Sequence, residues 1–170
     1  GNYKVGNSDY FIIEACEYCE SYLNFYQKSA IVLNIDDDHL DYFKNIENIQ
    51  HSFEKYVAKL PSDGVLILNR DDERCYSLRN NTKAKVITVG RNKDADWTYT
   101  NLTFDDNGFP TYEAVKNGDV KGTISLKVAG IHNVFNSLFC IALCDEYGID
   151  IKIVNTALQT FDGAARRLEY

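Results

Sequence analysis

Four short apolar runs alternate with helix-like stretches in the first half of the chain. The runs are residues 9–15, 29–35, 64–69 and 85–90. Runs like these, rich in β-branched residues and without polar alternation, are typical of strands buried on both faces of a parallel sheet. Residues 48–60 carry apolar side chains at helical spacing, and residues 71–79 predict a second helix with Asp71 or Asp72 near its N-cap. The pattern predicts an α/β fold, with a mostly parallel sheet flanked by helices on both sides.

The periodicity changes after about Asp94. Residues 97–104, 109–115 and 122–128 alternate between apolar and polar positions, with turn sequences between them. This predicts a small antiparallel portion near residues 96–128. An apolar helix is predicted over residues 132–147, followed by a last helix that Asp150 caps. The buried face of the last helix is predicted to consist of Ile153, Val154, Ala157, Leu158 and Phe161.

Composition narrows the class of protein. The chain has 170 residues, 45% of them hydrophobic, which fits one domain with a real core. A net charge of −7 argues against nucleic acid as a partner. No apolar run approaches the roughly 18 residues of a membrane span, and no signal peptide is visible. The five cysteines show no disulfide framework, which favours a cytoplasmic location. Because the chain starts at Gly1 and contains no Met, we expect residues 1–170 to be a single partial domain of a longer protein.

Carboxylates follow two of the predicted strands. Glu14 ends the first run, and Glu17 lies three residues further on. The second run leads into Asp36-Asp37-Asp38-His39-Leu40-Asp41. Ligand sites in open parallel sheets lie at the carboxyl ends of strands, and Mg²⁺ usually takes one or two carboxylates together with substrate phosphates. Each segment is either a divalent-cation site or a solvated acidic loop, and the position after a strand modestly favours the cation site for the second.

Two later segments carry groups suited to a nucleotide. Asn133 and Asn136 share one face at the start of the helix over residues 132–147, and an amide offers donors and an acceptor to the edge of an adenine. Capping by Asn133 explains one of these asparagines but not both. Near the end, Arg166 and Arg167 suit phosphate oxygens, although alone they read as a basic tail.

The pair Cys16-x-x-Cys19 has the spacing of zinc ligands. Zinc takes four ligands, however, and no second pair of ligands at such spacing is present. Three neighbouring glutamates also disfavour a reactive thiolate, so a redox motif is the less favoured reading. The chain contains no G-x-x-x-x-G-K-[ST] sequence, and nothing in it predicts a loop that wraps a triphosphate in backbone amides.

Five segments, in this order and at plausible spacings, resemble the Mur ligases, and among these the muramate–alanine ligases. They cover residues 14–27, 32–53, 60–73, 128–143 and 161–170. The most specific parts are the sequence around His39, which reads NIDDDHLDYF, and GIHNVFN at the start of the later helix. The resemblance spans nearly the whole chain and implies the central ATP-binding domain of such an enzyme, with the phosphate loop missing. The N-terminal UDP-binding domain and the C-terminal domain would lie outside the chain.

The resemblance also implies roles for individual residues. Glu14 and His39 match metal-binding positions, and His132, Asn133 and Asn136 match an adenine-binding motif. Arg166 and Arg167 match arginines near the ATP phosphates and the substrate. Glu14, His39 and Arg167 are thereby the expected catalytic residues. Glu17 and Asn34 lie near this site without an assigned role.

The family resembled here joins L-alanine to UDP-N-acetylmuramate, with ATP and Mg²⁺ (or Mn²⁺), through an acyl phosphate. We expect the 170-residue chain to lack this activity by itself. Sister Mur ligases carry a carbamylated lysine about fifteen residues after the metal histidine, but that count lands on Glu54, one residue before Lys55, so no such lysine is assigned. The alternatives are another Mur ligase or a folate–glutamate ligase, a non-catalytic nucleotide- or metal-binding module, and a zinc protein built on Cys16 and Cys19.

Overall fold

A computed structural model describes residues 5–163 of the chain. Six strands form one sheet: β1 (Ser29–Val32), β2 (Val65–Asn69), β3 (Lys85–Val89), β4 (Trp97–Phe104), β5 (Pro110–Lys116) and β6 (Asp119–Ser125). The α-helices are α1 (Leu40–Phe43), α2 (Ile46–Ala58), α3 (Glu73–Ser77), α4 (Ile131–Glu146) and α5 (Ile151–Leu158). Two 3₁₀ helices span Tyr18–Asn24 and Leu78–Asn81.

The strands lie in the sheet in chain order, from β1 to β6. The first four are parallel to one another, while β4, β5 and β6 pair antiparallel. The predicted α/β fold, with its antiparallel portion near residues 96–128, is therefore confirmed. Side-chain caps fix two of the helix starts, because Asn45 Oδ1 accepts from Asn48 N at 2.9 Å and Asp72 Oδ1 accepts from Cys75 N at 2.7 Å.

Each face of the parallel half of the sheet has its own core. Along β2, Val65 and Ile67 point to the side covered by α4 and α5, and Leu66 and Leu68 point to the side covered by α2. All four are buried, which explains why this strand has no polar alternation. The helices on both sides hold the carboxyl ends of β1, β2 and β3 at one rigid edge.

The predicted strand at residues 9–15 is wrong. The segment forms neither strand nor helix and pairs with no described strand, and β1 pairs only with β2 among the described residues. Phe11 and Ile12 are 86% and 88% exposed, although the sequence predicts their burial. A run of apolar residues predicts that the side chains prefer to be buried, but a strand also needs a partner for its backbone groups, and no described strand pairs with this segment.

The last helix follows its prediction in position but not fully in orientation. Asp150 caps it, with Oδ1 accepting from Lys152 N at 2.8 Å. Val154 is buried and Leu158 packs against the core. Ala157 is exposed, Ile153 is 64% exposed, and Phe161, which lies beyond the end of the helix, is 48% exposed. Only the side of the helix that carries Val154 and Leu158 packs against the core.

Candidate functional site

Two carboxylates and an imidazole converge where the loop after β1 meets the first 3₁₀ helix. Glu17, Asp38 and His39 each offer a ligand atom, and these atoms lie within 4.8 Å of one another. His39 Nε2 is 3.6 Å from Glu17 Oε1, and His39 Nδ1 is 3.7 Å from Asp38 Oδ1. We call these three residues the acidic cluster. A set of two carboxylates and one imidazole has the chemistry of a divalent-cation site.

The backbone of the loop after β1 explains how Asp38 and His39 reach this position. Asp36 forms a tight turn, since its Oδ1 accepts from Asp37 N at 3.0 Å and its carbonyl accepts from Asp38 N at 2.9 Å. His39 has a φ of +52° and begins α1, and its own N–H donates to Asp38 Oδ1 at 2.7 Å. The run of aspartates thus has two functions: Asp36 shapes the turn, and Asp38 faces the imidazole.

Tyr18 packs against the imidazole, a contact that the sequence did not predict. The ring centroids of Tyr18 and His39 are 4.8 Å apart. The Tyr18 hydroxyl donates to Asp41 Oδ2 at 3.4 Å. The negative charge of Asp41, followed by Cys19, raises the pKa of Tyr18, so the phenol stays protonated as a donor. Tyr18 therefore restricts the orientation of the His39 ring.

A cavity of about 100 Å³ lies beside the acidic cluster. It is lined by Glu17, Asn34, Asp36, Asp38, Ile49 and Phe53. Asn34, which the resemblance placed near the site, thus shares this cavity with two members of the acidic cluster. Its amide adds a neutral oxygen and two N–H donors to a wall that is otherwise anionic and apolar.

Glu14, the other predicted metal residue, is not part of the acidic cluster. It is exposed and lies near the end of segment 9–15. Glu17, three residues further along, is the glutamate that the structure brings to His39. The prediction that Glu14 binds metal therefore rests on the resemblance and stays a prediction. Arg166 and Arg167, predicted near the phosphates, lie outside the described residues.

The position counted for a carbamylated lysine is Glu54, and the next residue, Lys55, contacts a carboxylate. Lys55 Nζ is 3.1 Å from Glu20 Oε1. Partial burial would raise the pKa of Glu20, but hydrogen bonds from Lys55 and Ser52 outweigh it and lower the pKa. The lysine next to the counted position is thus engaged with the Glu20 carboxylate. The geometry thus gives no reason to assign a carbamylated lysine here.

The amide motif consists of His132, Asn133 and Asn136, and it lies in the first turns of α4. Asn133 Nδ2 donates to the Ala129 carbonyl at 2.8 Å and lies 3.2 Å from His132 Nε2. Its Oδ1 is then the acceptor that it offers to a ligand, while His132 and Asn136 are exposed. Gly130 precedes the motif with a φ of +100°. Asn133 does not cap the helix N–H groups as the alternative reading supposed, because its amide bonds a carbonyl of the preceding loop.

A chain of contacts joins the loop after β1 to α4 across the carboxyl edge of the sheet. Asn69 Nδ2 donates to the Leu33 carbonyl at 2.8 Å, and Asn69 Oδ1 accepts from Asp71 N at 2.9 Å. Asp71 in turn accepts from Arg91 N at 2.7 Å, and the Arg91 guanidinium lies 5.0 Å from the Phe135 ring centroid on α4. The acidic cluster and the amide motif therefore lie on the same edge, where open α/β sheets bind ligands.

The cysteine pair and the question of a membrane span are the remaining features raised by the sequence. Cys16 and Cys19 are free and exposed, and neither belongs to the acidic cluster. Within residues 5–163, no helix has the length and apolar character needed to cross a membrane.

Comparisons with known proteins agree with this architecture. The model of the Mur ligase middle domain matches residues 2–144. The UDP-N-acetylmuramate–L-alanine ligase of Acetivibrio thermocellus is 41% identical over 170 residues, which cover 99% of this chain and 36% of that protein. The enzyme of the same name from Caldicellulosiruptor saccharolyticus is 43% identical over 171 residues, with 99% and 37% covered. The chain thus spans little more than a third of the length of these curated relatives.

Solved structures show the same fold. The UDP-N-acetylmuramate–alanine ligase of Thermotoga maritima superposes with a TM-score of 0.74 at 29% identity, covering 87% of this chain and 32% of that chain. MurF of Acinetobacter baumannii gives a TM-score of 0.75 at 20% identity, with 87% and 32% covered. The sequence match over residues 2–144, the sheet order and the shared carboxyl edge lead to one conclusion: this chain belongs to the Mur ligase middle-domain family.

Proposed function

We propose that this chain is the ATP-handling part of a ligase that joins L-alanine to UDP-N-acetylmuramate in peptidoglycan synthesis. The observation that carries the proposal is the shared carboxyl edge, which holds both the acidic cluster and the amide motif. Two of the most similar curated relatives bear the name of that ligase. In the proposed reaction ATP phosphorylates the substrate carboxylate, and the amine of alanine then attacks the acyl phosphate.

The acidic cluster fits a divalent cation, Mg²⁺ (or Mn²⁺). Three protein donors leave room for phosphate oxygens and water, which is how Mg²⁺ is usually held in phosphoryl-transfer sites. A bound cation would neutralise charge that develops on the transferring phosphoryl oxygens. We assign Glu17, Asp38 and His39 to this cation and keep Glu14 as a second metal residue on the basis of the resemblance.

The protein groups have two further tasks in this proposal. Tyr18 holds the His39 ring in one orientation, so a donor nitrogen is already directed before the cation arrives. At the other end of the edge, Asn133 Oδ1 and the exposed Asn136 amide are suited to hydrogen bonds with the edge of an adenine. Holding the base and the phosphates separately fixes the reacting phosphoryl group without covalent help from the protein.

We assign binding of the triphosphate itself to a part of the protein outside this chain. No phosphate-loop sequence occurs in the 170 residues, and the chain spans 36% of one relative's length. We propose that a phosphate loop, a UDP-binding domain and a C-terminal domain complete the enzyme. Arg166 and Arg167 are proposed to act near the ATP phosphates and the substrate. Five free cysteines support a cytoplasmic location for the whole protein.

The proposal is tested with the intact gene product that carries this chain. With UDP-N-acetylmuramate, ATP and Mg²⁺, release of ADP should require L-alanine, and other amino acids or a folate acceptor should not replace the two substrates. His39→Ala should lower kcat/KM at least ~10-fold. His51→Ala is the matched control, because this exposed histidine on α2 contacts Glu54 and lies outside the cluster.

The rival functions give different results in the same experiment. Preference for another amino acid would indicate another ligase of the superfamily. Nucleotide binding without alanine-dependent turnover would indicate a non-catalytic module and would refute the ligase proposal. The isolated 170-residue chain is expected to show no alanine-dependent ATP hydrolysis.

A further inference from the structure

The loop after β3 places a cation against the helix that carries the amide motif. The Arg91 guanidinium carbon lies 5.0 Å from the Phe135 ring centroid. Phe135 is next to Asn136 on α4 and follows His132 by three residues, so its ring lies close to both of these residues of the amide motif. Arg91 is exposed, and a guanidinium that lies against an aromatic ring can still donate its N–H groups to a ligand.

Asp71 fixes the backbone from which Arg91 projects. Its Oδ2 accepts from Arg91 N at 2.7 Å, and its Oδ1 accepts from Asn92 N at 3.2 Å. Asp71 is itself tied to the end of β2, because its N–H donates to Asn69 Oδ1 at 2.9 Å. A carboxylate that accepts two successive backbone amides holds the loop in one conformation. The position of Arg91 is therefore set by the sheet edge rather than left to a free loop.

The order of the strands places Arg91 on the path of a bound nucleotide. The acidic cluster follows β1, Asn69 ends β2, and Arg91 follows β3. Neighbouring strands are about 4.8 Å apart, so roughly 10 Å separates β1 from β3. A nucleotide with its base at α4 and its phosphates at the acidic cluster would span the ends of β3 and β2. It would then run alongside the loop that carries Arg91.

We propose that Arg91 binds phosphate oxygens of the nucleotide, and that Asp71 is the positioning residue that holds Arg91 there. The inference rests on the proposed function, because it assumes a nucleotide bound between the amide motif and the acidic cluster. A guanidinium presents a planar set of N–H donors that matches phosphate oxygens. In a chain with a net charge of −7, such a fixed cation also offsets repulsion between the acidic edge and the phosphates.

The test compares adenosine, ADP and ATP as ligands of the intact gene product, with affinities measured by calorimetry in Mg²⁺. Arg91→Ala should weaken ATP binding about tenfold, the effect of losing one exposed charge-assisted hydrogen bond, and should change adenosine binding by less than about twofold. Arg91→Lys should give a smaller loss. Lys93→Ala removes the same charge from the same loop and should bind all three ligands as the wild type does.

Asp71→Asn tests the positioning role. It should also weaken ATP binding and spare adenosine, and in the double variant with Arg91→Ala the two losses should not add, because Asp71 acts through Arg91. Additive losses would refute the positioning role. Equal losses for adenosine and ATP, or unchanged ATP binding by Arg91→Ala, would overturn the assignment of Arg91 to the phosphates. If the wild-type protein binds no ATP, the proposed function fails. If the wild type binds ATP and the Arg91 and Asp71 variants bind it equally well, only this inference fails.

Discussion

Replacing Gly130 with alanine should damage the amide motif more than it damages the fold. Gly130 has φ +100° and ψ 147°, a region that residues with a side chain rarely adopt. A methyl group there would also lie 2.7 Å from His132 Cε1 and 3.0 Å from His132 Nδ1. The substitution therefore has two separable effects, backbone strain and displacement of an imidazole.

The two effects have different magnitudes and different readouts. Backbone strain of this kind costs about 1–3 kcal/mol of folding free energy. The steric clash costs less, because His132 is exposed and its ring can rotate away. Rotation breaks the 3.2 Å contact between His132 Nε2 and Asn133 Nδ2 and disturbs the amide. Losing one well-directed hydrogen bond to the base corresponds to about 0.5–1.5 kcal/mol, or up to about tenfold in affinity.

Gly118 provides the matched control for the strain. It lies in the turn between β5 and β6 with φ +87°, and a methyl group there would have no neighbour within 4 Å. Gly118→Ala and Gly130→Ala should both lower the free energy of unfolding of the chain in urea. Only Gly130→Ala should weaken ATP binding by the intact protein. If Gly130→Ala binds ATP as tightly as Gly118→Ala does, His132 and Asn133 do not form the site for the base.

Three further substitutions and measurements test the contacts around the site. Ser52→Ala removes the buried acceptor 2.8 Å from the Tyr22 hydroxyl and should cost about 1–3 kcal/mol in urea unfolding. Glu20→Gln should cost up to about 1 kcal/mol at pH 7 and nothing in strong acid; the folded-state pKa is lowered, so this stabilisation is lost as the pH falls through the carboxyl range. Iodoacetamide should label exposed Cys16 but not Cys75 in the native chain, because burial raises the pKa of Cys75 and hides its thiol, as peptide mass spectrometry would detect.

Each of these expectations can be contradicted by a specific result. The double variant Tyr22→Phe with Ser52→Ala leaves no buried hydroxyl without a partner, so it should be more stable than Ser52→Ala alone. Equal stability of the two variants would contradict the expectation for Ser52. A Glu20→Gln effect that is the same at pH 7 and pH 3 would rule out its ionised carboxylate as the cause. Equal labelling of Cys75 and Cys16 would mean that the helix carrying Cys75 opens readily.

The parallel strands could be predicted from the sequence because their apolar runs are buried as the hydrophobic pattern predicts. In β2 the continuous apolar run is buried on both faces, as the pattern requires. The first apolar run fails because burial depends on a covering neighbour, and Phe11 stays 86% exposed without one. The wide apolar stripe of α5 fails in the same way at Ile153. Periodicity reports what a segment prefers, while the surrounding elements decide whether that preference is met.

The candidate site was predictable where residues follow strands and unpredictable where the chain folds back. His39 lies in the loop that follows β1, so the rule that ligands bind at the carboxyl ends of strands located it. Glu17 reaches His39 through a 3₁₀ helix with left-handed residues at Cys19 and Glu20, a bend that no periodic pattern encodes. Tyr18 was missed for the same reason. The sequence does carry one indication of this contact: Glu17 and Tyr18 follow Glu14 by three and four residues, the spacing of one helical turn.

The carboxyl edge of the sheet carries acidic residues, yet the proposed ligand, ATP, is an anion. Positive charge from a bound cation and from Arg91 resolves this conflict. Glu17 and Asp38 repel phosphates until a divalent cation occupies the acidic cluster, so ATP and the cation should bind with positive coupling. Arg91, two strands away, brings its own positive charge to the phosphates and needs no cation for this. The phosphate end should therefore depend on the metal, whereas the base end should not. ATP affinity should fall when Mg²⁺ is chelated, and adenosine affinity should stay constant; a parallel fall in both would mean that the base does not bind at the amide motif.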